Sequence, residues 1–200
     1  EDYYICLSRL SMFAGYITIN ISSPNTEGLR DFHDQGELKK LLTGLNKIIN
    51  EKKIKCPIAI KISPDIKDNE IGKIIELISS HSIKGIIVSN TTDSNRNNLS
   101  DIKKHESGGL SGQPLKDIST KLIKRFYKET KGKIKIIGVG GVDSGQSAYE
   151  KITAGADAVQ LYTGMVYKGP GIVKEIKKDL ISILKKENIR NISEAVGINA

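Results

Sequence analysis

Residues 134–162 read IKIIGVGGVDSGQSAYEKITAGADAVQLY, one complete strand–helix–strand unit. IKIIGV (134–139) is an apolar run of strand length closed by glycines. Ala148 and Ile152, four apart, mark the inner stripe of a short helix that stops at Gly155, and DAVQLY (157–162) resumes the strand. Two strands joined through a helix run parallel. The same alternation extends in both directions. Upstream, YITINI (16–21), PIAIKIS (57–63) and GIIVSN (85–90) read as strands. Leu38, Leu41, Leu42, Leu45, Ile48 and Ile49, then Ile71, Ile74, Ile75 and Ile78, and later Ile118, Leu122 and Phe126 stripe the helices between them. Downstream, Ile172, Ile176, Leu180, Ile183 and Leu184 stripe a last long helix.

Five βα units in series predict an α/β protein with a parallel sheet under helices, either doubly wound or closed as a barrel. Both architectures bind ligands at the C-terminal ends of their strands. A closed barrel takes eight units in about 250 residues. Five units in 200 residues therefore predict the last part of a longer (β/α)8 TIM barrel, with residues 1–200 forming the C-terminal part of a single domain. The opening EDYYICLSRL, neither a signal peptide nor an initiator-methionine start, fits a segment cut from something longer.

Composition narrows the function. The formal charge of +8 would suit an acidic partner, but the lysines are dispersed in the manner of solvated helix faces. Seven tyrosines, three phenylalanines and no tryptophan, without a basic run among them, argue against nucleic-acid binding. Cys6 and Cys56 lie in no CxxC or His-rich setting, so no metal site or disulfide framework is indicated. No run of about 18 apolar residues predicts a membrane span.

The strand ends hold the chemistry. In YITINI the period of two sends Ile17, Ile19 and Ile21 to one face and Thr18, Asn20 and Ser22 to the other. Pro24 then holds the Ser23-Pro24-Asn25 corner extended or turned, which clusters polar side chains on a rigid exit; alternatively these groups only satisfy local backbone. Lys61 alternates with isoleucines in IAIKI and turns into the barrel mouth, where its ammonium calls for an anionic ligand; alternatively it snorkels to the rim. Asn90 and Thr91 close the third strand, and residues 91–113 are long enough to fold over something. GVGGVDSG (138–145) opens a helix, so its N–H groups, with Tyr162-Thr163-Gly164-Met165 after the next strand, suit a phosphate, although glycines also serve tight turns. Gly108-Gly109-Leu110-Ser111-Gly112 is either a further approach to a flat or phosphorylated ligand or a plain loop.

In this order NISSPNTEGLR, KISPD, VSNTT, GGLSGQPLKDIST, IIGVGGVDSGQSAYEKITAGADAVQLYTG and GPGIVKEIKKDL resemble class 2, quinone-dependent dihydroorotate dehydrogenase. The resemblance covers residues 2–197. It implies a TIM barrel holding FMN that oxidises dihydroorotate to orotate in de novo pyrimidine (UMP) biosynthesis and passes the electrons to a quinone. It also implies peripheral contact with a bacterial inner membrane or the mitochondrial inner membrane, through upstream segments. By motif, Ser23 resembles the catalytic base, with Thr26 as a relay. Asn20 matches a flavin and substrate contact, and Asn25, Asn90 and Thr91 match substrate contacts. Lys61, Ser89, Gly112, Gly141, Tyr162 and Thr163 match FMN contacts. The first three strands of the family lie outside these 200 residues, so the alternative reading is an inactive remnant that binds phosphate ligands or a partner without catalysis.

Overall fold

The computed structural model describes every residue except Asn95 and Asn98. Five strands, β1 (Ile17–Asn20), β2 (Ile58–Ile62), β3 (Gly85–Val88), β4 (Lys135–Val139) and β5 (Ala158–Gln160), form one sheet in the order β1-β2-β3-β4-β5. All four pairings are parallel. Each strand is shorter than its apolar or alternating run; all but β4 give up their last residues to the loops above, while β4 loses only Ile134. The expected helices follow: α2 (Gln35–Glu51), α3 (Asp68–Ser79), α4 (Lys116–Thr130), α5 (Gly145–Thr153) and α7 (Ile172–Lys186). Two more were not foreseen, α1 (Asp2–Leu10) and the short α6 (Thr163–Lys168). In α1 the buried Leu7 follows Tyr3 and Tyr4 at helical spacing, but the exposed Ile5 and Leu10 blur the stripe.

Register explains the two faces of the sheet. Ile19, Ile60, Ile86 and Ile136 face the helices and pack with Leu38, Leu42, Leu45, Ile71, Ile74, Ile123 and Phe126 in one core. Each such fully buried side chain contributes roughly 1.5–3 kcal/mol. The pairs Thr18↔Ala59, Asn20↔Lys61, Lys61↔Ile87 and Ile87↔Ile137 run across the other face. That face is concave. A flat five-stranded sheet would hold its edges about 19 Å apart, four strand spacings, farther than two side chains reach. Yet Gln160 Nε2 on β5 donates to Tyr16 Oη beside β1 at 2.9 Å, so the sheet curls until its edges face each other. That is the relation of the first and fifth of eight barrel strands.

The two ends of the stretch 91–113 meet in an antiparallel bridge between Thr92 and Leu110, and Thr91 and residues 109–113 lie over the strand ends. A second, smaller core of Val142, Ala148, Ile172 and Ile176 seats the loop after β4 between α5 and α7. Among the described residues no helix is long and apolar enough to cross a membrane.

Candidate functional site

The end of β1 and the end of β3 share one amide network. Asn90 Nδ2 donates to Asn20 Oδ1 at 3.1 Å and to Ser22 Oγ at 3.0 Å, and Ser22 Oγ donates to Asn20 Oδ1 at 3.1 Å. Asn90 Oδ1 takes the Thr91 N–H at 2.8 Å. With Asn20 Oδ1 so occupied, the two hydrogens of its own amide remain for a ligand. Tyr3 of α1 fixes the strand end from outside, donating to the Asn20 carbonyl at 2.6 Å.

Pro24 makes the next three residues a tight corner. Ser23 Oγ accepts from the Asn25 N–H at 3.2 Å and from Thr26 Oγ1 at 3.4 Å. Two donors on one hydroxyl oxygen leave its own hydrogen free and favour the deprotonated form. Asn25 Oδ1 accepts the Gly109 N–H at 3.1 Å, which brings the GGLSG loop onto the corner. A side chain at Gly109 would collide with Thr91 and Pro24, so only glycine permits this approach.

Opposite this corner the donors are backbone. A cavity of about 720 Å³ is lined by Lys61, Ser89, Asn90, Thr91, Gly112, Gly140, Gly141, Leu161, Tyr162, Thr163 and Gly164, among others. Among the described residues the N–H groups of Gly112, Gly141, Thr163 and Gly164 meet no acceptor within the chain. Thr163 Oγ1 donates to Ser111 Oγ at 2.9 Å, joining the two loops. No residue of the helix α5 lines the cavity, although its position after the glycines suggested that it would supply donors there. Ser144 and Ser147 cap it: the Ser147 N–H donates to Ser144 Oγ at 3.2 Å, and Ser147 Oγ takes the Asp143 and Ser144 N–H groups at 3.0 Å each. The first turn of α6 stands in its place, where N–H groups are unspent.

Lys61 reaches into the cavity wall between these two ends. Burial alone pushes its ammonium below the ordinary lysine value, with no carboxylate among the causes. The site thus combines a desolvated cation, converging N–H donors and an amide cluster, a fit to a planar ligand carrying an anionic tail. Every residue singled out from the sequence lies here. Lys61, Ser89, Asn90, Thr91, Gly112, Gly141, Tyr162 and Thr163 line the cavity, while Asn20, Ser23 and Asn25 join it through Asn90 and Gly109.

Sequence reasoning missed the brace above them. Arg30 pairs with Asp65 at 3.1 Å and with Asp93 at 2.8 Å. Asp65 also accepts from Thr92 Oγ1 and from Ser94 Oγ, the latter at 3.1 Å. Three loops, after β1, β2 and β3, are thereby tied together. Opposite charges closing the neighbouring motifs NISSPNTEGLR and KISPD were the available signal. The dispersed lysines are also not all solvated: Lys151 is fully buried.

Comparison with known proteins bears on family and fold. Residues 1–184 match the family described as Dihydroorotate dehydrogenase. A dihydroorotate dehydrogenase (quinone) of Trichodesmium erythraeum is 43% identical over 204 residues, covering 98% of this chain and 53% of that protein. One of Vibrio vulnificus is 46% identical over 185 residues, covering 90% of this chain and 55% of that protein. The crystal structure of DHODH from Eimeria tenella in complex with ferulenol superposes with a TM-score of 0.95 at 35% identity, covering 99% of this chain and 57% of that one. The chain spans about half the length of the relatives it matches.

Proposed function

Because the chain belongs to the dihydroorotate dehydrogenase family, we propose that its residues form the last five βα units of one FMN-binding (β/α)8 domain. Its reaction is the oxidation of dihydroorotate to orotate, a step of de novo pyrimidine synthesis, with a quinone as final electron acceptor. The observation that carries this reading is the cavity itself, with Lys61 unpaired among the described residues, free N–H donors at one end and the Asn20–Asn90 network beside Ser23 at the other. FMN, when bound, would supply the acceptor for the hydride equivalent and a two-electron store between substrate and quinone.

The chain's own residues do the rest. Asn20 presents its amide hydrogens, and Asn25, Asn90 and Thr91 complete the substrate end, where amides suit a ring with alternating N–H and C=O groups. Ser23 takes the substrate proton. Its oxygen is primed by the Asn25 N–H, and the exposed Thr26 beside it opens a path for the proton to water. Lys61 places positive charge where the ring gains negative charge. Ser89, Gly112, Gly141, Tyr162 and Thr163 hold the ring and its phosphate. Delivery of electrons to a lipid-soluble quinone places the protein at a membrane surface, on the cytoplasmic face of a bacterial inner membrane or at the mitochondrial inner membrane.

The test is a titration of the purified full chain with FMN, followed by anaerobic mixing with dihydroorotate. We expect saturable quenching of flavin fluorescence and then loss of the oxidised flavin absorbance. A folded chain that takes up no FMN would overturn the proposal and favour a remnant without catalysis.

A further inference from the structure

Lys151, on α5, is the only charged residue fully buried among the described residues. Its ammonium meets three oxygens, all on the first turn of α4. They are the Ser119 hydroxyl, Thr120 Oγ1 at 3.1 Å and the Lys116 carbonyl at 3.3 Å. None is a carboxylate. The neighbouring Glu150 is turned to Lys116, which it pairs at 2.8 Å. An unpaired cation held by neutral dipoles is an expensive thing to bury, and nothing in the hydrophobic packing of α5 calls for it.

What the ammonium grips explains the expense. Ser119 Oγ receives the Lys151 proton, so its own hydrogen points elsewhere, toward two carbonyls within reach, Gly140 at 3.4 Å and Lys116 at 3.5 Å. The Gly140–Gly141 peptide is trans, so its carbonyl and N–H point in opposite directions. With the carbonyl turned toward α4, the N–H of the same peptide points away from that helix, and Gly141 lines the cavity. Gly141 also lies flat on α4. A side chain there would sit 2.5 Å from Lys116 Cβ and 2.7 Å from Lys116 Cα.

Resting on the flavin reading above, we propose that Lys151 is a positioning residue for a phosphate monoester, acting through Ser119 to aim the Gly141 N–H into the cavity and backing it with positive charge. The path runs ammonium, hydroxyl, peptide carbonyl, peptide N–H, and each link polarises the next. Burial depresses the ammonium to about 8, which leaves most of it charged at neutral pH.

The test compares FMN with riboflavin, which shares the ring and lacks the phosphate, on the full chain. Lys151→Met keeps much of the side-chain length and removes the charge. We expect FMN affinity to fall about 10- to 100-fold, the worth of one hydrogen bond to a charged group, while riboflavin affinity moves less than about twofold. Ser119→Ala should reproduce the selective loss by removing the middle link. A purely structural lysine would weaken both ligands in parallel or neither. Unchanged preference for FMN in both variants overturns the inference. Should Lys151→Met fail to fold, the ratio in Ser119→Ala decides alone. A wild-type chain that binds both flavins equally overturns the phosphate reading itself, and a wild-type preference retained by the variants overturns only the role of Lys151.

Discussion

The two ends of the cavity are built from different materials. At the β1–β3 end the recognising groups are side chains, Asn20, Ser23 and Asn90, which hydrogen-bond to one another or to their own loop. At the β4–β5 end they are backbone N–H groups of Gly141, Thr163 and Gly164, and the side chains nearby serve to hold the peptide. On the proposed reading the difference has a chemical reason: a ring with alternating N–H and C=O groups asks for donors and acceptors, which amides supply, whereas a phosphate asks only for donors. It also sets how each end can be altered. A side-chain end yields to single substitutions, one function at a time, but a backbone end can be reached only through a Cβ that intrudes or a residue that supports it.

Ser23→Ala should therefore separate chemistry from binding most sharply. Removing a general base costs roughly 10² to 10⁴ in rate, and FMN affinity should stay within about twofold, since Ser23 is not among the cavity-lining residues. Single-turnover reduction of the flavin by dihydroorotate measures the first, and fluorescence titration the second. A normal reduction rate removes Ser23 from the mechanism. At the opposite end Gly141→Val should show the reverse pattern, with a smaller effect. Its φ of +69° disfavours a β-branched residue, and the new side chain meets the backbone of Lys116. We expect FMN affinity to fall about 10- to 100-fold as the Gly141 donor turns away. Wild-type affinity would mean that the phosphate is held elsewhere.

How far the sequence revealed these ends follows from how local their causes are. Alternation in YITINI and the lock at Pro24 are neighbours in the chain, so Asn20 and Ser23 could be placed before any fold was known. Lys61 was visible as a break in an isoleucine pattern. The loop after β4 lines the cavity, but the sequence did not show that the Ser144–Ser147 cap of α5 takes the Asp143, Ser144 and Ser147 N–H groups. Arg30, Asp65 and Lys151 escaped for another reason. Their meaning rests on partners as far as 63 residues away, as for Arg30 and Asp93, and a lysine in AYEKIT reads like any solvent-facing helix position. The curl of the sheet was implied by the count of βα units, but only the Tyr16–Gln160 contact shows it in the chain itself.

Lys61 sits between the two ends and gives the smallest and most diagnostic effect. Its ammonium is desolvated without a partner among the described residues, so its value in the folded chain lies below 10.5. Below that depressed value the folded chain carries the full cost of a buried charge. As pH rises toward 10.5 the unfolded chain holds the proton more tightly than the folded one, so stability recovers in that window. Lys61→Met should thus raise the melting temperature of the flavin-free chain at pH 7, with the gain over wild type shrinking as pH approaches 10.5. The same substitution should make bound flavin harder to reduce, because the charge that answers the reduced ring is gone. A variant less stable at pH 7, with an unaltered flavin potential, would show that Lys61 is held by the protein and belongs to neither end of the site.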